Sequence, residues 1–152
     1  MIIRKINNRI LTGFVGLMLF LLPWPVFSSE KMIKKVLTIK KHKLEVEIAD
    51  TVLKRSTGLM YREKMDKDAG MLFVFPVPDR VGFWMKNTKI PLSIAFIDSD
   101  GVILQIADMK PEDITTIMSK EEVSYALEVN QGWFKKNNIK FGDIIKGLED
   151  IN

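Results

Sequence analysis

The residues of this chain best suited to act on a ligand are Trp84, Lys86, Asn87 and Thr88, with Lys89 beside them. An indole plane next to an ammonium, an amide and a hydroxyl fits a polar ring or an anionic group, such as a sugar or a peptide carboxylate. In an extended strand Trp84 and Lys86 share one face, and Phe83 and Met85 the other. The competing reading makes Trp84 a core residue with its N–H on a carbonyl, while Asn87 and Thr88 build the turn before Pro91.

Other chemistries have less to work with. General acid and base catalysis needs two carboxyl groups in one cleft. Asp98 or Glu128, both on strands, used with Lys86, are the candidates for a hydrolase. Asp98-Ser99-Asp100-Gly101 has part of a calcium loop, but Phe96 and Lys110 stand where further acids belong, so a hairpin turn is the better reading. The single histidine, His42, lies among lysines and cannot supply a zinc site alone. Met60, Met65, Met71, Met85 and Met109 are scattered through apolar strands and read as core filling rather than copper ligands. Glycine loops for phosphates and dinucleotides are absent, so no cofactor and no metal are expected.

The elements that must position these residues begin after a leader. Arg4, Lys5 and Arg9 precede an apolar run from Ile10 to Leu22, closed by Pro23 and Pro25. This is the n-region and h-region of a secretory signal, with Val26 and Ser28 as the small residues for cleavage before Ser29. Thirteen apolar residues fall short of the roughly 20 that a bilayer span needs. An uncleaved N-terminal anchor facing outward is the alternative. No cysteine follows the run, or occurs anywhere, which excludes a thioether-linked lipid anchor, disulfides and thiol catalysis.

Without residues 1–28 the formal charge falls from +4 to +1, because three basic and no acidic residues leave with them. The high isoelectric point thus belongs largely to the leader, and a nucleic-acid partner loses its main support. Residues 29–42 form a basic segment holding Lys31, Lys34, Lys35, Lys40 and Lys41. Membrane contact is expected only through this stretch or the leader. Residues 43–152 then make a single domain of common size.

Strand periodicity dominates that domain. Val36–Lys40 and Leu44–Ile48 alternate apolar with charged residues and read as paired strands. Asp50 is expected to cap a helix over 51–57 that ends at Gly58. The run Gly70–Phe75 reads as a strand covered on both faces and stopped by Pro76 and Pro78. Further strands are expected over 81–86, 93–98, 102–107, 125–129 and 144–147, with a helix over 131–137 capped by Asn130. The stretch 108–124 reads as a long loop with one helical turn. About eight short strands with two short helices predict a mainly β fold, a compact β-sandwich or jelly-roll-like barrel.

Ile48-Ala49-Asp50, Arg55 to Arg62, Gly70 to Pro76, Phe83 to Thr88, Ile90-Pro91-Leu92, Phe96-Ile97-Asp98, Leu127 to Asn130 and Gly142-Asp143 resemble, in order, the signature of the domain of unknown function 192 family. The likeness runs from about Lys43 to Lys146 and departs from the family pattern in the loop after Asp108. It implies a largely bacterial and archaeal group, a common signal sequence and a jelly-roll type β-sandwich, and it brings no catalytic residues or cofactor with it.

The combined expectation is an exported protein of the periplasm or the medium that binds a small ligand or envelope glycan through Trp84 to Lys89. An envelope protein-interaction or structural module is the alternative, and a hydrolase using Asp98 or Glu128 the second. Mass spectrometry of the exported protein is expected to find a mature chain beginning at Ser29; a full-length chain in the membrane fraction would establish the anchor instead.

Overall fold

Alternating side chains give Lys34–Ile39 (β1) and His42–Ala49 (β2) one apolar face, and Leu37, Ile39, Leu44, Val46 and Ile48 are all buried. These strands open the computed structural model, which describes residues 32–149 and 151. The expected signal segment, residues 1–28, lies outside the described residues. Strand β1 falls within the basic segment and pairs with β2 along its whole length, from Lys34 against Glu47 to Ile39 against His42.

The protein is mainly β, as expected, with nine strands and two short helices among the described residues. After β2 come α1 (Val52–Thr57), β3 (Ala69–Asp79), β4 (Gly82–Phe83), β5 (Leu92–Ile97), β6 (Ile103–Met109) and β7 (Ile117–Met118). Strand β8 (Val123–Asn130), α2 (Trp133–Lys136) and β9 (Ile145–Lys146) complete the order. Seven strands form one sheet in the order β6-β5-β8-β3-β2-β1-β9, and β4 pairs with β7 in a separate ribbon. All pairings are antiparallel except β2 with β3, whose crossover carries α1.

The two edges of the large sheet meet. Val102 bridges to Ile144, the Ile103 amide donates to the Asp143 carbonyl at 2.9 Å, and the Ile145 amide donates to the Gly101 carbonyl at 2.8 Å. This seam curls the sheet toward a half-barrel and covers edges that would otherwise offer unpaired backbone groups. One sheet face encloses Leu37, Leu44, Val46, Leu72, Ala95, Ile97, Leu127 and Val129, against which α2 packs Trp133 and Phe134. The opposite face carries Met71, Phe73, Ile94, Phe96 and Ala126, covered by Leu59, Met85 and Ile90.

Several local expectations change. Thr51, not Asp50, caps α1 by accepting from the Lys54 amide at 3.2 Å, while Asp50 pairs with Lys54 at 2.9 Å. Strand β3 runs through Pro76 and Pro78 to Asp79, because the register shifts between Val74 and Asp79 and releases the proline positions from the ladder. Strand β4 is only two residues long, so Trp84 to Lys86 lie beyond it. No helical turn forms over 110–122, where the chain lays β7 against β4. Helix α2 is shorter than expected and has left-handed Gly132 at its cap. Asn130 instead donates to the Asp66 carbonyl at 2.8 Å.

Gly101 has φ of 80° and an added Cβ would lie 2.6 Å from the Ile145 carbonyl oxygen, whereas Gly142 has φ of 85° with nothing within 4 Å. Both alanine substitutions meet the left-handed penalty of about 1–2 kcal/mol, but only Gly101→Ala also strains the seam. Urea unfolding is expected to show the larger loss for Gly101→Ala; equal losses would mean the seam contributes little.

Candidate functional site

Strand β8 lies between β3 and β5 and is buried from Val123 to Val129. Tyr125, Leu127 and Val129 face the first core cluster, which leaves Ser124, Ala126 and Glu128 on the second face. Glu128 stands between Met71 of β3 and Ile94 of β5. It is 4 % exposed, and its carboxyl has no hydrogen-bond or ionic partner among the described residues. Burial alone pushes its ionisation from 4.5 up to about 8. At neutral pH the carboxyl therefore holds its proton and presents an O–H donor.

Glu128 lines a cavity of about 410 Å³. Residues of α1 with Gly58, Leu59 and Met60 after it form one side; Phe73 and Phe75 of β3, Phe83 of β4, and then Trp84 and Thr88, are among those on the others. Gly58 has φ of 49°, and an added Cβ there would come within 3.3 Å of the Phe73 ring, so glycine both ends α1 and keeps the wall clear. Phe83 meets Phe73 edge to face at 4.9 Å and Phe96 at 5.9 Å. Arg55 is the other ionisable side chain on the wall. Its guanidinium donates to the Asp50 and Val74 carbonyls at 2.7 and 2.8 Å and lies over the Phe75 ring.

The structure separates the sequence-derived candidates. Trp84, 48 % exposed, and buried Thr88 both line the cavity. Lys86 does not; its ammonium lies 5.4 Å above the Trp84 ring. Asn87 adopts φ of 55° and donates its amide to the Tyr61 hydroxyl at 3.0 Å, and Lys89 is exposed. Met85 is buried and Trp84 faces out, so the expected alternation persists past the end of β4. Asp98 and Glu128 do not converge. Asp98 accepts from the Asp100 and Val102 amides at 2.9 and 2.8 Å and shapes the β5–β6 turn.

Arg55, Phe73, Phe75 and Phe83 were not singled out by residue type, since their role depends on α1 and β4 meeting over the sheet. A second depression, of about 530 Å³ beside α2, contains Ser93 and Asp108. Its buried Ser93 hydroxyl is already satisfied by Asp108 at 2.5 Å and the Gly132 amide at 3.0 Å. The described residues include no helix long and apolar enough to cross a membrane and no cluster of three or more potential metal ligands.

Residues 35–147 match the DUF192 family, described as uncharacterized ACR. The chain is 29 % identical over 107 residues to a UPF0127 protein of Pyrococcus horikoshii, covering 67 % of this chain and 86 % of that one. A UPF0127 protein of Pyrococcus abyssi is 26 % identical over 109 residues, with 68 % and 86 % covered. Among solved structures, a Sinorhizobium meliloti protein described as a candidate transcription regulator is 39 % identical with a TM-score of 0.76, covering 78 % of this chain and 96 % of its own. A Novosphingobium aromaticivorans protein of unknown function is 30 % identical with a TM-score of 0.75, covering 79 % and 89 %.

The Glu128 shift also predicts a pH dependence. The unfolded chain gives up this proton near the ordinary 4.5 and the folded chain only near 8, so the neutral carboxyl supports folding fully below 4.5. That support fades as pH rises through 8. Glu128→Gln keeps the neutral shape and is expected to gain stability over the native protein between pH 5 and 8, by up to about 1.4 kcal/mol per pH unit. Urea unfolding at three pH values checks this; a gap that stays constant with pH would show that Glu128 is ionised in the fold.

Proposed function

Because the chain belongs to the DUF192 family, whose description names no activity, we propose its function from the cavity: an exported small-ligand-binding module of the cell envelope. The observation that carries this reading is the unpartnered Glu128 carboxyl at the wall of an aromatic-lined cavity. A carboxyl set among apolar walls finds few partners there, and a ligand with a complementary group supplies one on binding. The volume falls within the range of about 300–1,000 Å³ typical of small-molecule sites, and few polar groups among many apolar ones is their usual composition.

Trp84 at the cavity wall offers a flat surface for a sugar ring or another planar group, and Thr88 supplies a second polar atom nearby. Export rests on the charged and apolar pattern of residues 4–28. Binding is favoured over hydrolysis because Asp98 is committed to its turn and no second carboxylate lines the cavity among the described residues.

Thermal unfolding of the protein against envelope glycans, muropeptides, nucleotides and small organic ions tests the proposal. A ligand at 100 times its Kd is expected to add about 2.7 kcal/mol, several degrees for a chain of this size, and to lose most of that shift in Trp84→Ala. A panel in which no compound raises the midpoint, or raises it equally in the variant, would overturn the cavity as the binding site.

A further inference from the structure

The chemistry that would complete the cavity can be named from its walls. Glu128 has no cationic partner among the described residues, although it stands on an interior strand of the sheet and lines the cavity. The groups around it are uncharged: Met71 and Phe73 on β3, Ile94 on β5, and Thr88 from the segment before β5. Arg55, from α1, is the only other ionisable group on the wall among the described residues. Its two carbonyl acceptors hold it at the Phe75 side, and its charge has no part in the Glu128 shift.

The aromatic rings of this region already hold cations. Lys86 lies over Trp84 and Arg55 over Phe75, each within the distance at which a ring face attracts positive charge. Phe73 and Phe83 continue the same aromatic wall inward. A carboxylate ligand would face a carboxyl able to offer it one shared proton, and an Arg55 guanidinium that already donates through Nη1 to two carbonyls and lies over Phe75. An ammonium ion would gain both the carboxylate and the ring faces.

Resting on the reading of the cavity as a ligand site, we infer that it takes a small organic ammonium ion, with the nitrogen against Glu128 and the apolar substituent among Phe73, Phe83 and Trp84. Binding moves one proton: the Glu128 O–H bond breaks, the proton goes to solvent, and the carboxylate left behind accepts from the ligand's N–H. No oxidant or second reactant is needed.

Benzylammonium, benzyl alcohol and benzoate, closely matched in shape but positive, neutral and negative, are the probes, titrated calorimetrically into the native protein, Glu128→Gln and Trp84→Ala. Benzylammonium is expected to bind tightest and to release close to one proton per molecule at pH 7, as shown by buffers of different ionisation enthalpy. Its affinity should rise about tenfold per pH unit from pH 5 toward 8. In Glu128→Gln, whose amide keeps the size of the protonated acid, proton release and the preference for the cation should vanish, with the melting curve showing a folded protein. Trp84→Ala should weaken the cation while leaving proton release in place. If benzyl alcohol or benzoate binds as well as benzylammonium, or the preference survives in Glu128→Gln, the ammonium inference falls while the cavity remains a ligand site. If none of the three binds, the ammonium inference falls, and if the wider panel is also silent, so does the cavity reading.

Discussion

Strand β8 has no solvent face, and the rest of the structure answers to that constraint. It lies between β3 and β5, with the concave core on one side and a second apolar layer on the other. A strand so enclosed is normally apolar on both faces. Glu128 breaks the rule at one point, and water cannot reach it from the sheet. The layer above must therefore cover Met71, Phe73, Ile94 and Phe96 while leaving space over a single carboxyl, and the cavity is the outcome.

That covering layer contains little regular structure, and backbone hydrogen bonds hold much of it. Tyr61 and Asn87 are both left-handed and bonded to each other twice, through the Tyr61 amide to the Asn87 carbonyl at 2.8 Å and the Asn87 amide to the Tyr61 hydroxyl. The Met85 amide reaches the Asp113 carbonyl at 2.8 Å, and the Glu112 amide the Thr88 carbonyl at 3.0 Å. Arg62 anchors the same layer to β2 through two 2.6 Å bonds to Glu47, whose carboxyl is held below its ordinary range chiefly by that contact. The walls are thus fixed to one another as well as to the sheet. Such preorganisation lowers the cost of ordering a ligand.

Much of the sheet was legible in the sequence because its cues are local. Alternation marks β1 and β2, the apolar run marks β3, and Asp98 to Gly101 make the expected turn. What escaped was set by partners distant in the chain. Pro76 and Pro78 were read as stops, but the bulge that admits them exists only opposite β8. The two residues of β7 become a strand only because β4 lies beside them. Glu128 lies on the face opposite Leu127, and alternation alone makes such a face look solvated. The missed clue was in its neighbours: Met71 to Val74 are apolar at every position and Leu92 to Ile97 at all but Ser93, so a strand between them must be covered on both sides. Trp84 and Thr88, expected from residue type, both line the cavity, whereas the aromatic wall required the third dimension.

The seam between Gly101–Ile103 and Gly142–Ile145 has a consequence for the order in which the protein can be made. Its two halves are separated by about forty residues, and the later half follows β1 to β8 in the chain. Long-range pairing of this kind forms only after the intervening chain has been delivered. A ribosome or a pore that releases the chain from its N-terminus therefore hands over β1 to β8 as an unclosed sheet, and the curl is locked only once residues 142–145 have followed. Until then β6 carries an exposed edge. Strands β1 to β8 can thus pass through a narrow channel before the closure commits them to a shape too wide to thread.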